Sequence, residues 1–351
     1  MTRTIPIGEK SVGDNEPCMI VAEIGVNHNG NEELAKTLIY YAKRCGADAV
    51  KFQTWNTEEI ILEDVELALY QKESIKSNST QFEMLKNLEI SYDHYFALKE
   101  YAEELDLIFF STMEDKKSVD FLMKDLNIPL IKVGSGDLTN YPLLKYTARF
   151  HKPMVVSTGM ATLSEIDQAV RTIANEGNED VILLQCTTQY PCPYEDINLR
   201  AILTLKNAFK TVVGLSDHSK GIECAIAAVA LGAKYIEKHF TSDNTLPGPD
   251  QQASLEPHEF KKVVEGIRNV EKAMGDGIKR PMASELENKN IVRRKIVAGK
   301  DIPAGEIFTE ESISLKRAIN GLSPEHCPLI IGRRAKKDLK YNQIIDLQDI
   351  I

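Results

Sequence analysis

Eight short apolar runs, rich in Val and Ile and separated by helical patterns, constrain this chain more than any other feature. They span residues 18–25, 48–54, 107–112, 130–136, 154–159, 181–187, 212–218 and 235–241. Runs that are apolar on both faces belong to a buried parallel sheet. The intervening stretches supply helices to cover it. Thr162-Leu163-Ser164-Glu165 reads as a capping box ahead of Ile166, Ala169, Val170 and Ile173, with Gly177 as the stop. Pro257 suits the first turn of a helix carrying Phe260, Val263, Val264, Ile267, Val270 and Met274. Ser91 suits an N-cap before Leu98, Tyr101, Ala102 and Leu105. Eight β/α units over about 270 residues predict a TIM (β/α)8 barrel. The rival, an open doubly wound sheet, wants a Gly-x-Gly-x-x-Gly turn after an early strand, and none is present.

The character changes after Gly275-Asp276-Gly277. Residues 1–275 are expected to form the barrel domain, the polar residues 276–290 a linker, and 291–351 a small β-rich domain. In that last stretch residues 301–313 echo residues 338–350, which suggests two related halves. Residues 54–80 form a long polar connection after the second strand, long enough to cover a site.

Composition narrows the function. Lys+Arg number 42 against 52 Asp+Glu, a net charge of −10, which argues against a nucleic-acid partner or an anionic membrane surface. The polar N-terminus lacks the apolar core of a secretion signal, and the most apolar run, 221–233, is too short to span a bilayer and carries Glu223. The six cysteines include no Cys-x-x-Cys pair. They read as reduced thiols of a cytoplasmic protein.

In a TIM barrel the chemistry sits at the C-terminal strand ends. Here those ends are polar: Glu23; Lys51 and Gln53; Ser111 and Thr112; Lys132 and Ser135; Ser157; Cys186 to Thr188, with Tyr190 beyond; Ser216 and His218; Glu237 and His239. A lysine inside an apolar strand is costly to desolvate unless an anion meets it. Lys51 and Lys132, converging with hydroxyls, would make a pocket for a phosphate or carboxylate. His218 and His239 lie on neighbouring strands and could hold a divalent metal with most of its shell open, which suits Mn²⁺ or Mg²⁺. Glu23 could act as general acid or base, and Asp250 brings another carboxylate to the mouth. His28 reads as turn chemistry. The pattern describes a metal-assisted barrel enzyme for a phosphorylated or carboxylated substrate, and leaves condensation, aldol cleavage and isomerisation open.

Several strand-end motifs, taken together and in order, resemble the sialic acid synthase family. They are AEIGVNHNG (22–30), KFQT (51–54), KVGSGD (132–137), STGM (157–160), QCTTQYP (185–191), GLSDH (214–218), EKHFT (237–241) and GPDQQASLEP (248–257). GKDIPAGE (299–306) and KRAING (316–321) resemble that family's C-terminal antifreeze-like (SAF) domain. The resemblance implies a barrel enzyme that condenses phosphoenolpyruvate with an N-acylated hexosamine, releasing phosphate, with Mn²⁺ or Mg²⁺ and no organic cofactor. N-acetylmannosamine would give N-acetylneuraminate. The alternative acceptor, 2,4-diacetamido-2,4,6-trideoxymannose, would give N,N'-diacetyllegionaminate. A metal-dependent aldolase or epimerase is the remaining alternative.

By matched position, Lys51, Thr112, Lys132, Ser135, Ser157 and Ser216 would hold phosphoenolpyruvate, and His218 and His239 the metal. Glu23, Gln53, Tyr190 and Asp250 would face the amino sugar. The resemblance also implies a homodimer with swapped C-terminal domains, in which Arg317 reaches the partner's site. Thr188 stands where several relatives carry Asn, and Ala318 where Pro is common.

Overall fold

In the computed structural model, which describes residues 3–69, 71–72 and 79–351, the eight runs become the eight strands of a closed barrel. After a hairpin of β1 (Thr4–Ile7) and β2 (Lys10–Gly13) come β3 (Met19–Gly25), β4 (Ala49–Thr54), β5 (Ile108–Met113) and β6 (Ile131–Val133). They are followed by β7 (Met154–Ser157), β8 (Val181–Cys186), β9 (Val212–Asp217) and β10 (Tyr235–His239). All neighbours in the ring are parallel, and β10 closes it between β9 and β3. The predicted TIM barrel is the observed fold.

Local sequence explains the helices around it. Thr162 and Glu165 form the expected capping box at the start of Leu163–Ala174, and Pro257 opens the helix Pro257–Met274. Gly177 takes a left-handed φ of 80° shortly after the first of these ends. Ser91 does precede Tyr92–Glu104, but its side chain makes no capping hydrogen bond.

The β1–β2 hairpin was not expected, because its strands are four residues long, β1 carries Pro6 and β2 opens on Lys10. It lies against the loops that enter the strands. Lys10 pairs with Asp48, just before β4, and Arg3 bonds the carbonyl of Glu179, just before β8. Ile5, Ile7 and Val12 are buried in the main core. The end of the barrel opposite the polar strand ends is thus covered.

Of the long connection after β4, residues 70 and 73–78 lie outside the described residues. The described part holds the short helix Thr57–Ile60. Val26, Trp55, Leu67, Met84 and Leu88 form a small core of their own beside the barrel.

The chain divides into two compact units, Met1–Gly275 and Asp276–Ile351. The second contains β11 (Arg294–Ala298) and β12 (Ile313–Arg317), paired antiparallel. Residues 276–290 carry a 3-10 turn and the start of the helix Leu286–Val292. The echoing segments face each other: Ile302 and Leu339, matched in the echo, exchange both backbone hydrogen bonds at 2.8 Å. Phe308, Ile330, Leu339 and Ile345 anchor a separate core. Among the described residues no helix is long and apolar enough to cross a membrane.

Candidate active site

Barrel register brings the polar strand ends together. Across neighbouring strands His239 stands beside Glu23, Glu23 beside Lys51, Gln53 beside Thr112, and Thr112 beside Lys132. On the other side Cys186 stands beside Ser216, and Ser216 beside Glu237. These side chains line one cavity of about 170 Å³, together with Ser135, Ser157, Thr188, Tyr190 and His218. Asp250 reaches His239 from the loop after β10. Arg317 lies in the second unit, exposed, at the end of β12.

Two buried lysines form the floor. The Lys51 ammonium lies 3.0 Å from Glu23 and 3.3 Å from Glu237, and donates to the Thr112 hydroxyl at 2.9 Å. Lys132 lies 3.7 Å from the same Glu237 oxygen and donates to the Ser157 hydroxyl at 2.8 Å. Burial opposes charge on both. Two close carboxylates outweigh it for Lys51, whose pKa lies above the ordinary value. One more distant carboxylate does not outweigh it for Lys132, whose pKa is lowered. Glu237 is held by Ser216 at 3.2 Å and by the Tyr235 hydroxyl at 3.4 Å. Sequence reasoning placed Glu237 on this face without giving it a role. Its carboxylate joins the two lysines.

Glu23 is fully buried, and burial pushes its pKa up to about 7 despite Lys51. Gln53 donates to it at 2.6 Å. That contact depends on Gly25, where φ is +50° and a Cβ would stand 2.8 Å from the Glu23 carboxylate and 2.9 Å from the Gln53 amide.

His218 and His239 face each other with ring centroids 5.3 Å apart, and Tyr190 stacks on His218 at 4.1 Å. His218 Nδ1 lies 2.7 Å from the Thr187 carbonyl. A carbonyl can only accept, so Nδ1 carries the proton, and Nε2, 3.4 Å from the Ser216 hydroxyl, is the nitrogen that can offer a lone pair to a ligand. His239 Nδ1 is buried with no hydrogen-bond partner, 3.5 Å from the Asp250 carboxylate. Burial, with His218 next, drives the pKa of His239 well down, so this imidazole is neutral. Burial also raises that of Asp250, to about 6. Two neighbouring imidazoles able to offer lone pairs fit a divalent ion that keeps most of its shell for substrate and water. Among the described residues no cluster of three or more His, Cys, Asp or Glu forms a closed metal cage.

Behind the cavity lies a pair that sequence reasoning missed. Lys238 and Asp217 are side by side in register between His239 and His218, face away from the cavity, and are fully buried. Lys238 lies 2.9 Å from Asp217 and donates to the Ser219 carbonyl at 2.5 Å. Asp217 in turn accepts from the Ser219 amide and hydroxyl. The alternation that points Glu237 and His239 inward is the signal for it. His28 is a turn residue as expected: its Nδ1 accepts from the Gly30 amide at 3.0 Å.

Against known families, the NeuB family profile matches residues 38–279, and the SAF domain profile matches 293–351. The chain belongs to the NeuB family. Its NeuB-family relatives include the N,N'-diacetyllegionaminic acid synthase of Campylobacter jejuni, 44% identical over 93% of this chain and 98% of that one. The human N-acetylneuraminate-9-phosphate synthase is 39% identical, over 92% of this chain and 90% of the relative. Among solved structures, the N-acetylneuraminic acid synthetase of Leptospira borgpetersenii, crystallised with citrate, is 36% identical. It superposes with a TM-score of 0.72 over 82% of this chain and 95% of its own. The expected family is confirmed, as is the SAF domain.

Proposed function

We propose that this NeuB-family chain condenses phosphoenolpyruvate with an N-acylated hexosamine to give a nine-carbon 2-keto sugar acid and phosphate. The observation that carries this reading is the pair of buried lysines sharing Glu237 on the floor of a cavity whose wall holds two neighbouring histidines. A dianionic phosphate with an adjacent carboxylate suits two ammonium groups flanked by Thr112, Ser135, Ser157 and Ser216 hydroxyls. His218 and His239 would hold a divalent ion, Mn²⁺ or Mg²⁺, which supplies polarisation of the sugar's open-chain aldehyde.

The chain's own residues would then manage position and protons. Lys51 and Lys132 orient the enol so that its methylene carbon meets the aldehyde carbon, whose oxygen gains a proton and becomes a hydroxyl. Water adds to the former enol carbon and gives up a proton. Glu23, with a pKa raised to about 7 by burial, would take or give one of these protons. Loss of phosphate leaves the ketone. Gln53, Tyr190 and Asp250 would face the sugar. We extend the proposal to the assembly: a two-fold dimer in which Arg317 from one subunit reaches the acyl end of the sugar in the other.

Two acceptors, N-acetylmannosamine and the diacetamido-trideoxy sugar, are supported by similarity to the N-acetylneuraminic acid synthetase of Leptospira borgpetersenii and to the N,N'-diacetyllegionaminic acid synthase of Campylobacter jejuni. The test is to incubate the protein with Mn²⁺, phosphoenolpyruvate and each sugar, and to measure phosphate. Release dependent on both substrates is expected. No release with any N-acylhexosamine, from folded protein, would overturn the proposal.

A further inference from the structure

One carboxylate of the cavity has no role in the chemistry above. Glu114 follows the last residue of β5, two positions beyond Thr112, and its side chain lines the cavity. Period-two alternation puts it on the same face as Thr112, one step nearer the mouth. The other charged groups of the cavity are held by protein. Lys51 and Lys132 share Glu237, Glu23 has Gln53 and Lys51, His218 has the Thr187 carbonyl, and His239 faces Asp250. The Glu114 side chain makes no hydrogen bond and no ion pair among the described residues.

Its backbone is nevertheless fixed. The Glu114 amide donates to the Thr54 carbonyl at 3.3 Å. The next residue, Asp115, accepts from the Asn56 and Ser118 amides at 2.9 Å each. A carboxylate presented from so firmly held a strand end, with no hydrogen bond or ion pair among the described residues, is arranged for something that enters the cavity. Its surroundings exclude an anion. Asp137 from the loop after β6, its neighbour Asp115 and Glu23 on β3 all add negative potential, which Lys51 on β4 opposes. Burial, with Asp137 next, pushes its pKa up to about 7. The phosphate and carboxylate of an enol phosphate belong lower down, at the lysines.

Position decides which part of the other substrate it meets. In the ring β5 lies four strands from β9 in either direction, so Glu114 stands across the mouth from His218. An open-chain sugar with its aldehyde at the histidines would extend its hydroxyl-bearing carbons towards Glu114.

We infer that Glu114 is a specificity-determining residue that accepts a hydrogen bond from a hydroxyl of the acceptor sugar, across the cavity from the histidine pair. The inference rests on the condensation proposed above. Nothing in the match of motifs points to Glu114, since it falls outside every segment that carries the resemblance.

Steady-state kinetics of the full chain with Mn²⁺ test it, using N-acetylmannosamine and the diacetamido-trideoxy sugar as probes. Glu114→Ala should raise the sugar KM about tenfold or more, as loss of a hydrogen bond to a charged group does, and leave the phosphoenolpyruvate KM within about twofold. Glu114→Gln keeps an acceptor oxygen and should recover part of the loss. In the wild type the sugar KM should rise as pH falls below 7, and in Glu114→Gln that rise should be smaller, with Glu23 and Asp250 keeping their share. An unchanged sugar KM in Glu114→Ala, or an equal rise in the phosphoenolpyruvate KM, overturns the inference. If the wild type releases no phosphate, the condensation falls. Glu114 is then judged by melting temperature with sugar added: a shift in wild type that Glu114→Ala loses supports it, and equal shifts or none overturn it.

Discussion

Lys51 and Lys132 differ by one carboxylate, and that difference sets how each responds to an incoming anion. Lys51 already has Glu23 and Glu237 within 3.3 Å, whereas among the described residues Lys132 has one carboxylate, the same Glu237 oxygen at 3.7 Å. Lys132 therefore gains more from a bound phosphate. Lys132→Met should abolish the rise in melting temperature that phosphoenolpyruvate gives the wild type, and lower turnover by about 10³ or more, the scale of losing an electrostatic contact to reacting charge. A variant that kept the full thermal response would place the anion elsewhere. Glu23 gives a prediction of the opposite electrical sense. Its pKa is about 7 in the fold against 4.5 ordinarily. The folded chain thus holds a proton that the unfolded chain has released between those values. This stabilisation is complete below 4.5 and is lost as pH rises through 7. Glu23→Gln cannot ionise and has no such loss. The melting temperature of Glu23→Gln minus that of wild type should climb from about pH 5 to about pH 8, whatever its offset. A flat difference would mean that Glu23 is ionised throughout.

At the scale of elements, the ends of β9 and β10 carry the histidines, and the Lys238–Asp217 pair ties those ends together from behind. A buried pair contributes little net stability when intact, but removing one partner strands a charge in the core. Lys238→Met should destabilise the barrel by about 3–5 kcal/mol. Adding Asp217→Asn should recover most of that loss in denaturant melts. If the double variant is no better than the single, the ion pair is not what holds the strand ends. The same elements show what the sequence made legible. A lysine in an apolar strand signals a buried countercharge, and it led to Lys51 and Lys132 correctly as cavity residues. The identical signal at Lys238 denotes an internal pair, because the alternation turns it outward onto Asp217. Glu237, pointing inward, is the countercharge the pattern did not foresee: a carboxylate between two lysines reads on paper as a substrate residue and in three dimensions as their shared support. Glu114 escaped notice because its apolar run stops at Thr112, two residues short. The hairpin escaped because strands of four residues carry too few alternations to register.

At the scale of the whole molecule, two units with separate cores follow from the change in sequence character after Gly275, and the eight runs were enough to predict a barrel. Whether the proposed dimer brings Arg317 of one subunit to the barrel of the other is a question of assembly, and it has a direct experimental answer. Lys132→Met disables the barrel but keeps Arg317. Arg317→Ala keeps the barrel and loses the arginine. Each variant alone should turn over poorly at limiting sugar. Co-expressed, they form mixed dimers if the enzyme is a two-fold dimer. With swapped domains, the intact barrel in a mixed dimer receives Arg317 from the Lys132→Met subunit. Half of randomly paired dimers are mixed and each has one complete site, so the co-expressed protein should recover about a quarter of wild-type activity. If Arg317 served its own barrel, every site would lack either Lys132 or Arg317. Activity would then stay at the average of the two variants. If Arg317→Ala alone turned over like wild type at limiting sugar, the arginine would serve no barrel at all.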